Sequence, residues 1–431
     1  MVPSLQAGIA RTVITPPVQS TWQGGFGART RPAEGIHDDL VATALLLDDG
    51  SGDPARRVAI VAADLISYRD EQVQRIRALI DQQGMALGKR VLLCCSHTHG
   101  GPALYPRSAL PANDAYIAAL EQQIAGVVYS ASLHLQPVAL GLGQGEAQFN
   151  VNRRLRQPDG QMVMRPNLEG VVDRTVSVLR IDPKLDGQLA AGSTPLALLF
   201  RYTCHPTSMG AQNYRFTADY PGAARRFVER AYAGATDDRG TLVLYLPGCF
   251  ANIRPNLTTP QGGFRSATWS ELEALGRQLG STVIQASERV RDPTSSDNMD
   301  DLAGPLGAAL ERVELPLEQN EAGRPSWPGE VQVLRLGGIY LVGLPGEIFL
   351  ETGWLVRRQV AAATGVPERR VLVQGYCHGT VGYVPTAAAI PEGGYEVVAW
   401  KMSERPAGFA AATEQALADS AARLAARLAV G

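Results

Sequence analysis

Apolar and polar positions follow two rhythms along this chain. Continuous apolar runs at 58–66 (VAIVAADLI), 90–96, 195–203, 240–246 and 369–376 predict strands buried on both faces. At 331–344 two apolar segments, VQVLRL and IYLVGL, flank Gly337-Gly338, the spacing of a hairpin with a two-residue turn. Apolar residues three and four apart predict helices over Asp70 to Gln83, Asp114 to Leu133 and Trp269 to Val290. Asp219 with Pro221 reads as a helix start with Ala223 to Ala233 as its body, and an alanine-rich amphipathic stretch runs from Phe409 to Val430. Strands alternating with helices predict an α/β layer fold. Polar, glycine- and proline-rich segments at 101–113, 152–168, 255–268, 291–303 and 319–330 interrupt the pattern. None is long enough to mark a boundary, so 1–431 reads as one domain without internal repeats.

Composition narrows the partners. Hydrophobic residues make up 45%, charged residues 19%, and the formal net charge is −2. That balance gives no electrostatic reason for nucleic acid or an anionic membrane as partner. Three lysines, Lys89, Lys184 and Lys401, leave few candidates for Schiff-base chemistry. No basic stretch followed by an apolar one opens the chain, and no uncharged apolar run reaches membrane-spanning length. A cytoplasmic location is therefore expected. Five cysteines, Cys94, Cys95, Cys204, Cys249 and Cys377, form neither a disulfide framework nor a CxxC pair. They read as small buried packing residues.

The chemistry gathers where strands end. VLLCC runs into Ser96-His97-Thr98-His99, and LALLFRYTC into His205-Pro206-Thr207-Ser208. TLVLYLPGCF runs into Asn252-Ile253-Arg254, IYLVGLPG into Glu347, and VLVQGYCHG leads to Tyr383. Ligands of open α/β sheets bind beyond the carboxyl ends of strands. Side chains two apart in an extended segment share a face, so His97 and His99 can face one cavity. One His of that pair with His205 and Glu347 makes a two-His, one-carboxylate set of the kind catalytic zinc uses, and the other His could move protons beside it. Each residue also has a plainer reading. HxH is often two strand histidines, His205 before a proline could be a core residue, and Glu347 could cap the helix that follows.

Other HxH folds fit less well. The metallo-β-lactamase pattern fails because Gly101-Pro102 stands where its Asp and His should be. The amidohydrolase barrel would need ligands from His134, His205 and His378, with His134 in a helical stretch. The glycine-rich WQGGFGART (22–30) is a loop rather than a phosphate cradle. His37-Asp38-Asp39 reads as a strand start. Asn152-Arg153-Arg154 is a polar insert, and an arginine there could orient a carbonyl or carboxylate. His378, beside Cys377, reads as structural or supporting.

These motifs together resemble the catalytic domain of the neutral/alkaline non-lysosomal ceramidases. The matching stretches are AGIARTVITPP, GIHDDLVATALLLDDG, HTHGGP, NRRLR, HPTS, ADYPGAA, PGCFANIRPN, LPGEIF and GYCHGTVGYVPT, spread almost end to end. The resemblance implies layered mixed β-sheets flanked by helices, an N-acyl amide substrate and a single zinc ion. It places His97, His205, Glu347 and Tyr383 around the zinc, His99 beside it and Arg153 near the substrate carbonyl. Two departures are visible. Where the family carries GDVSPN this chain has ANIRPN, with Asn252 for the Asp and Arg254 for a serine regarded as catalytic. The family's C-terminal β-sandwich and secretion signal are not seen in the sequence.

A zinc-dependent amide hydrolase is the expected function, on a substrate smaller or more polar than ceramide. His99 would act as general acid or base, with Tyr383 and Arg153 stabilising the oxyanion. Arg254 would face the substrate, or else pair with a local acid such as Asp219. The alternatives are a metal-dependent lyase or isomerase of a sugar-like or polyol substrate, and a metal-binding protein without catalysis.

Overall fold

The computed structural model describes residues 4–105, 112–189, 194–233, 240–291, 302 and 304–430. Two of the predicted polar breaks, 101–113 and 291–303, lie partly outside these residues.

The predicted apolar runs are strands at the centre of two sheets. The larger sheet runs, in spatial order, Leu242–Pro247, Ala197–Tyr202, Thr175–Leu185, Gln136–Glu146, Gln6–Val13, Val41–Asp48, Arg57–Ala63 and Val91–Cys95, with Gln188–Leu189 paired to Thr175–Leu185. The smaller sheet runs Leu306–Pro316, Ser326–Leu336, Ile339–Gly343 and Val371–Gln374. Leu336 pairs with Ile339, which fixes the Gly337-Gly338 turn as read from the sequence.

The runs are continuously apolar because both faces are covered. Leu45, Ile60, Leu92, Leu199 and Leu244 of the larger sheet pack against Leu334, Leu341 and Leu372 of the smaller. The opposite face of the larger sheet takes helices Asp70–Gln82 and Asp114–Ser132 at one end, and Asp219–Tyr232 and Trp269–Arg289 at the other. Helices Leu350–Thr364 and Thr413–Val430 cover the outer face of the smaller sheet. The result is a helix/sheet/sheet/helix sandwich, so the predicted α/β layering holds. The caps follow from local chemistry. Asn113 accepts from the Tyr116 amide, and Thr268 with Glu271 forms a capping box.

One reading needs correction. The segment 152–168 is not an irregular break. Asn150–Arg156 and Met162–Asn167 form an antiparallel ribbon with Ile253–Pro255 on its other edge. Its polar residues are buried by partners distant in sequence, which periodicity cannot show.

Within the two main sheets, three of the described strand pairs are parallel: Arg57–Ala63 with Val91–Cys95, Ala197–Tyr202 with Leu242–Pro247, and Ile339–Gly343 with Val371–Gln374. The larger sheet also curls until its two edge strands, Leu242–Pro247 and Val91–Cys95, come into contact. Strand ends far apart in sequence are thereby gathered at one place.

Candidate metal centre

His97 follows Val91–Cys95, and His205 follows Ala197–Tyr202. Glu347 follows Ile339–Gly343 and pairs, in a two-residue parallel strand, directly beside Tyr383. The Glu347 carboxylate therefore belongs to the pocket and does not cap Leu350–Thr364, whose N-cap Phe349 has no side-chain bond.

Each ring is held by the main chain. His97 Nδ1 donates to Ile66 O at 2.6 Å, and His205 Nδ1 to Phe250 O at 2.7 Å. Those bonds fix the tautomer and leave both Nε2 lone pairs facing the pocket. One oxygen of Glu347, Oε2, lies 3.4 Å from His97 Nε2 and 3.2 Å from His205 Nε2. With neutral rings these are acceptors facing an acceptor. His99 completes the group: ring nitrogens of His97, His99 and His205 all lie within 4.8 Å of one another. His97 Nε2 and both nitrogens of His99 are buried with no hydrogen-bond partner. Buried polar atoms are rarely left so. A cation where His97 Nε2, His205 Nε2 and Glu347 Oε2 converge would satisfy those three, and imidazole with carboxylate is a donor set suited to zinc. The residues present therefore fit a metal.

The electrostatics agree. Burial, then the charge of Arg153, holds the His205 imidazole at about 3. Burial, with His97 and His205 nearby, holds His99 well below its ordinary value. Neutral imidazole is the form a metal requires.

The polar ribbon supplies the next layer. Arg153 Nη2 donates to the Tyr383 hydroxyl at 3.0 Å, and its Nε donates to Glu396 at 2.8 Å. Arg154 donates to the other oxygen of Glu396 at 2.9 Å. Burial raises the Tyr383 phenol well above its ordinary value, more than Arg153 lowers it. Asn252 accepts from the Leu350 amide and donates to Glu351. Arg254 sits on Ile253–Pro255 with its guanidinium 4.1 Å from the Phe264 ring centroid. Asp219 is not its partner, because that carboxylate accepts from the Ser208 and Tyr220 amides and forms no ion pair with Arg254.

Sequence reasoning missed several neighbours. Glu396 is buried 242 and 243 positions from the arginines it binds, and nothing local marks it. The Tyr376 ring lies 4.1 Å from that of His97. Tyr376 and His97 both hold positive φ, +58° and +61°. Strain of that kind clusters at functional sites. The loop 22–30 lies over His99: Phe26 is 4.6 Å from the imidazole, and a Cβ on Gly25 would stand 2.4 Å from His99 Nδ1.

The remaining histidines lie elsewhere. His37 stacks on Trp269, His134 bonds Ser130 O, and His378 binds Arg77. The barrel reading built on His134 and His378 therefore fails. All five cysteines are free and buried.

Comparison with known proteins gives one consistent answer. A sequence model described as neutral/alkaline non-lysosomal ceramidase, N-terminal, matches residues 5–264. A neutral ceramidase of Mycobacterium tuberculosis is 24% identical over 456 residues, spanning 86% of this chain and 70% of that one. A neutral ceramidase of Pseudomonas aeruginosa is also 24% identical, over 90% of this chain and 68% of its own. A solved structure of the Pseudomonas aeruginosa neutral ceramidase superposes with a TM-score of 0.78 at 19% identity, covering 99% of this chain and 75% of that one. The shared fold is thus that of a protein whose sequence has largely diverged.

Proposed function

We propose, since the chain belongs to the neutral/alkaline non-lysosomal ceramidase family, that it is a zinc-dependent hydrolase of an N-acyl amide, on a substrate smaller or more polar than ceramide. The observation that carries the reading is the Glu347 oxygen facing two imidazole Nε2 atoms with no hydrogen to share. His97, His205, Glu347 and Tyr383 would surround the ion. Zinc held there supplies a Lewis acid and a water acidified toward ~7.

The chain's own groups handle protons and charge. His99, neutral at rest, takes a proton from the attacking water and delivers it to the leaving nitrogen. Tyr383 keeps its proton because burial disfavours the phenolate. Arg153 occupies an acceptor site on that hydroxyl, so the Tyr383 hydrogen is turned away from Arg153. That hydrogen, which has Tyr395 as its neighbour, would be given to the oxygen on which negative charge develops. A preorganised donor of this kind typically contributes ~10²–10³ in rate. Glu396 holds Arg153 in place for the task. No step needs a serine nucleophile, so Arg254 at the family's serine position is compatible with the reaction.

No described helix is long and apolar enough to cross a membrane. Five free thiols suit the reducing cytoplasm, where we place the enzyme. The test is amine release from short and long N-acyl amides by zinc-loaded protein. Turnover abolished by a chelator and restored by zinc supports the reading. Zinc-loaded protein that releases no amine from any of them overturns it.

A further inference from the structure

Buried arginines in this protein are matched one by one. Arg153 and Arg154 share Glu396, Arg180 binds Asp182, Arg225 binds Asp64, and Arg77 binds Glu330. Arg29 and Arg405 satisfy themselves on main-chain carbonyls. Arg254 differs. Its Nε is buried without a partner, and among the described residues its guanidinium makes no hydrogen bond or ion pair. Only the Phe264 ring, 4.1 Å away, steadies it. A guanidinium carries five donors and stays charged, so leaving it partly buried and unpaired is costly.

Its position is tied to the metal centre. The residue before it, Ile253, accepts from both the main-chain amide and Nδ1 of His205, each at 3.1 Å. Arg254 is opposite Val151 in the ribbon, and it lies close enough to Arg153 and Tyr383 to feel the charge of both. Arg153 is already neutralised by Glu396 and occupied by Tyr383. One positive charge thus remains uncompensated here. A carboxylate matches it in charge and in its two-oxygen geometry.

We propose that Arg254 is a specificity-determining residue that receives a carboxylate carried by the amide substrate. This deepens the hydrolase reading above and rests on it. The carboxylate can sit on the amine side, as in an N-acylglycine, or on the acyl side, as in a succinamic amide. Both present the same group to the guanidinium, and kinetics separate them.

The experiment compares N-acylglycines, the matched N-acylglycinamides and succinamic amides with zinc-loaded wild type, Arg254→Gln and Arg254→Lys. A charge-assisted bidentate pair corresponds to ~10–10²-fold. The wild type is expected to favour one carboxylate series over its neutral match by about that factor. Arg254→Gln should remove the preference, chiefly through KM, and lose far less on the neutral amide. Arg254→Lys should restore part of it. Equal losses on charged and neutral substrates, or a wild type that prefers the neutral amide, would overturn the proposal. Should no amide turn over, the hydrolase reading fails by itself. Calorimetric binding of N-acetylglycine and of succinamate then decides this one: binding lost in Arg254→Gln supports it, and no binding by wild type overturns it.

Discussion

Two buried histidine clusters lie in this protein, built from overlapping ingredients. One is the candidate metal centre. The other joins His378, Arg77 and Glu330. There Arg77 Nη2 lies 3.1 Å from His378 Nδ1 and 2.7 Å from Glu330 Oε1. A permanent cation already stands between the imidazole and the carboxylate. Burial, then Arg77, holds His378 well below its ordinary value. Its Nε2 remains unpartnered, a cost in stability. In the metal centre the carboxylate faces two imidazoles with nothing positive between them. Burial alone therefore does not mark a functional histidine. The mark is a set of lone pairs and a negative charge converging on one point that no protein group fills.

The most severe way to break the comparison is to truncate one histidine of each cluster. His205→Ala should lose its zinc and at least ~10⁴ in rate, since the Lewis acid and the acidified water go together. His378→Ala should keep its zinc and lose about 1–3 kcal/mol of stability through Arg77. Elemental analysis and denaturant unfolding check both. Metal loss in His378→Ala would erase the distinction.

Within the metal centre, His97→Ala and His99→Ala sharpen the division of labour. The first should lose metal and rate together. The second should keep metal and lose ~10²–10⁴ in kcat. Metal loss in both would make His99 a ligand, which its place within 4.8 Å of the other two rings allows chemically.

Glu396 tests the supporting layer. Glu396→Ala leaves Arg153 and Arg154 buried without their shared carboxylate, and breaking such a set costs about 3–5 kcal/mol. Thermal unfolding should report this, while the zinc content of the folded fraction stays unchanged. Gly25→Ala should be gentler. Its Cβ would meet the His99 imidazole in a left-handed backbone, so kcat should fall about tenfold or more with metal retained. The smallest effect is expected at Cys249, which is buried and free. Cys249→Ser should cost about 1–3 kcal/mol of stability and leave most activity. Rapid inactivation of wild type by a thiol reagent, blocked by substrate, would contradict that.

The two clusters also differ in how far the sequence reveals them. One His of the 97/99 pair, His205 and Glu347 stood out as candidates because each follows an apolar run read as a buried strand, whereas the choice of His97 and the addition of Tyr383 came from the family resemblance. Parallel pairing then delivers those carboxyl ends to one side, a rule independent of the particular sequence. The Gly337-Gly338 turn was legible for a similar local reason. What stayed hidden depends on contacts between distant residues. The ribbon 150–167 looks like a polar loop because Asn150, Asn152, Arg153 and Arg154 are buried through partners such as Glu396 rather than through apolar packing. The HTH motif suggested a proton shuttle, yet only the folded chain shows Phe26 and Gly25 closing over His99. His378 was read as structural from its isolation. Its reason, Arg77, lies 301 positions away.

The central claim is that the open valences of His97, His205 and Glu347 hold a zinc ion. Anomalous X-ray scattering at the zinc edge, from crystals of protein purified without chelators, tests it most directly. The account predicts one strong peak bounded by His97 Nε2, His205 Nε2 and Glu347 Oε2, with His99 and Tyr383 beside it. A peak elsewhere, or none with zinc in excess, would contradict it.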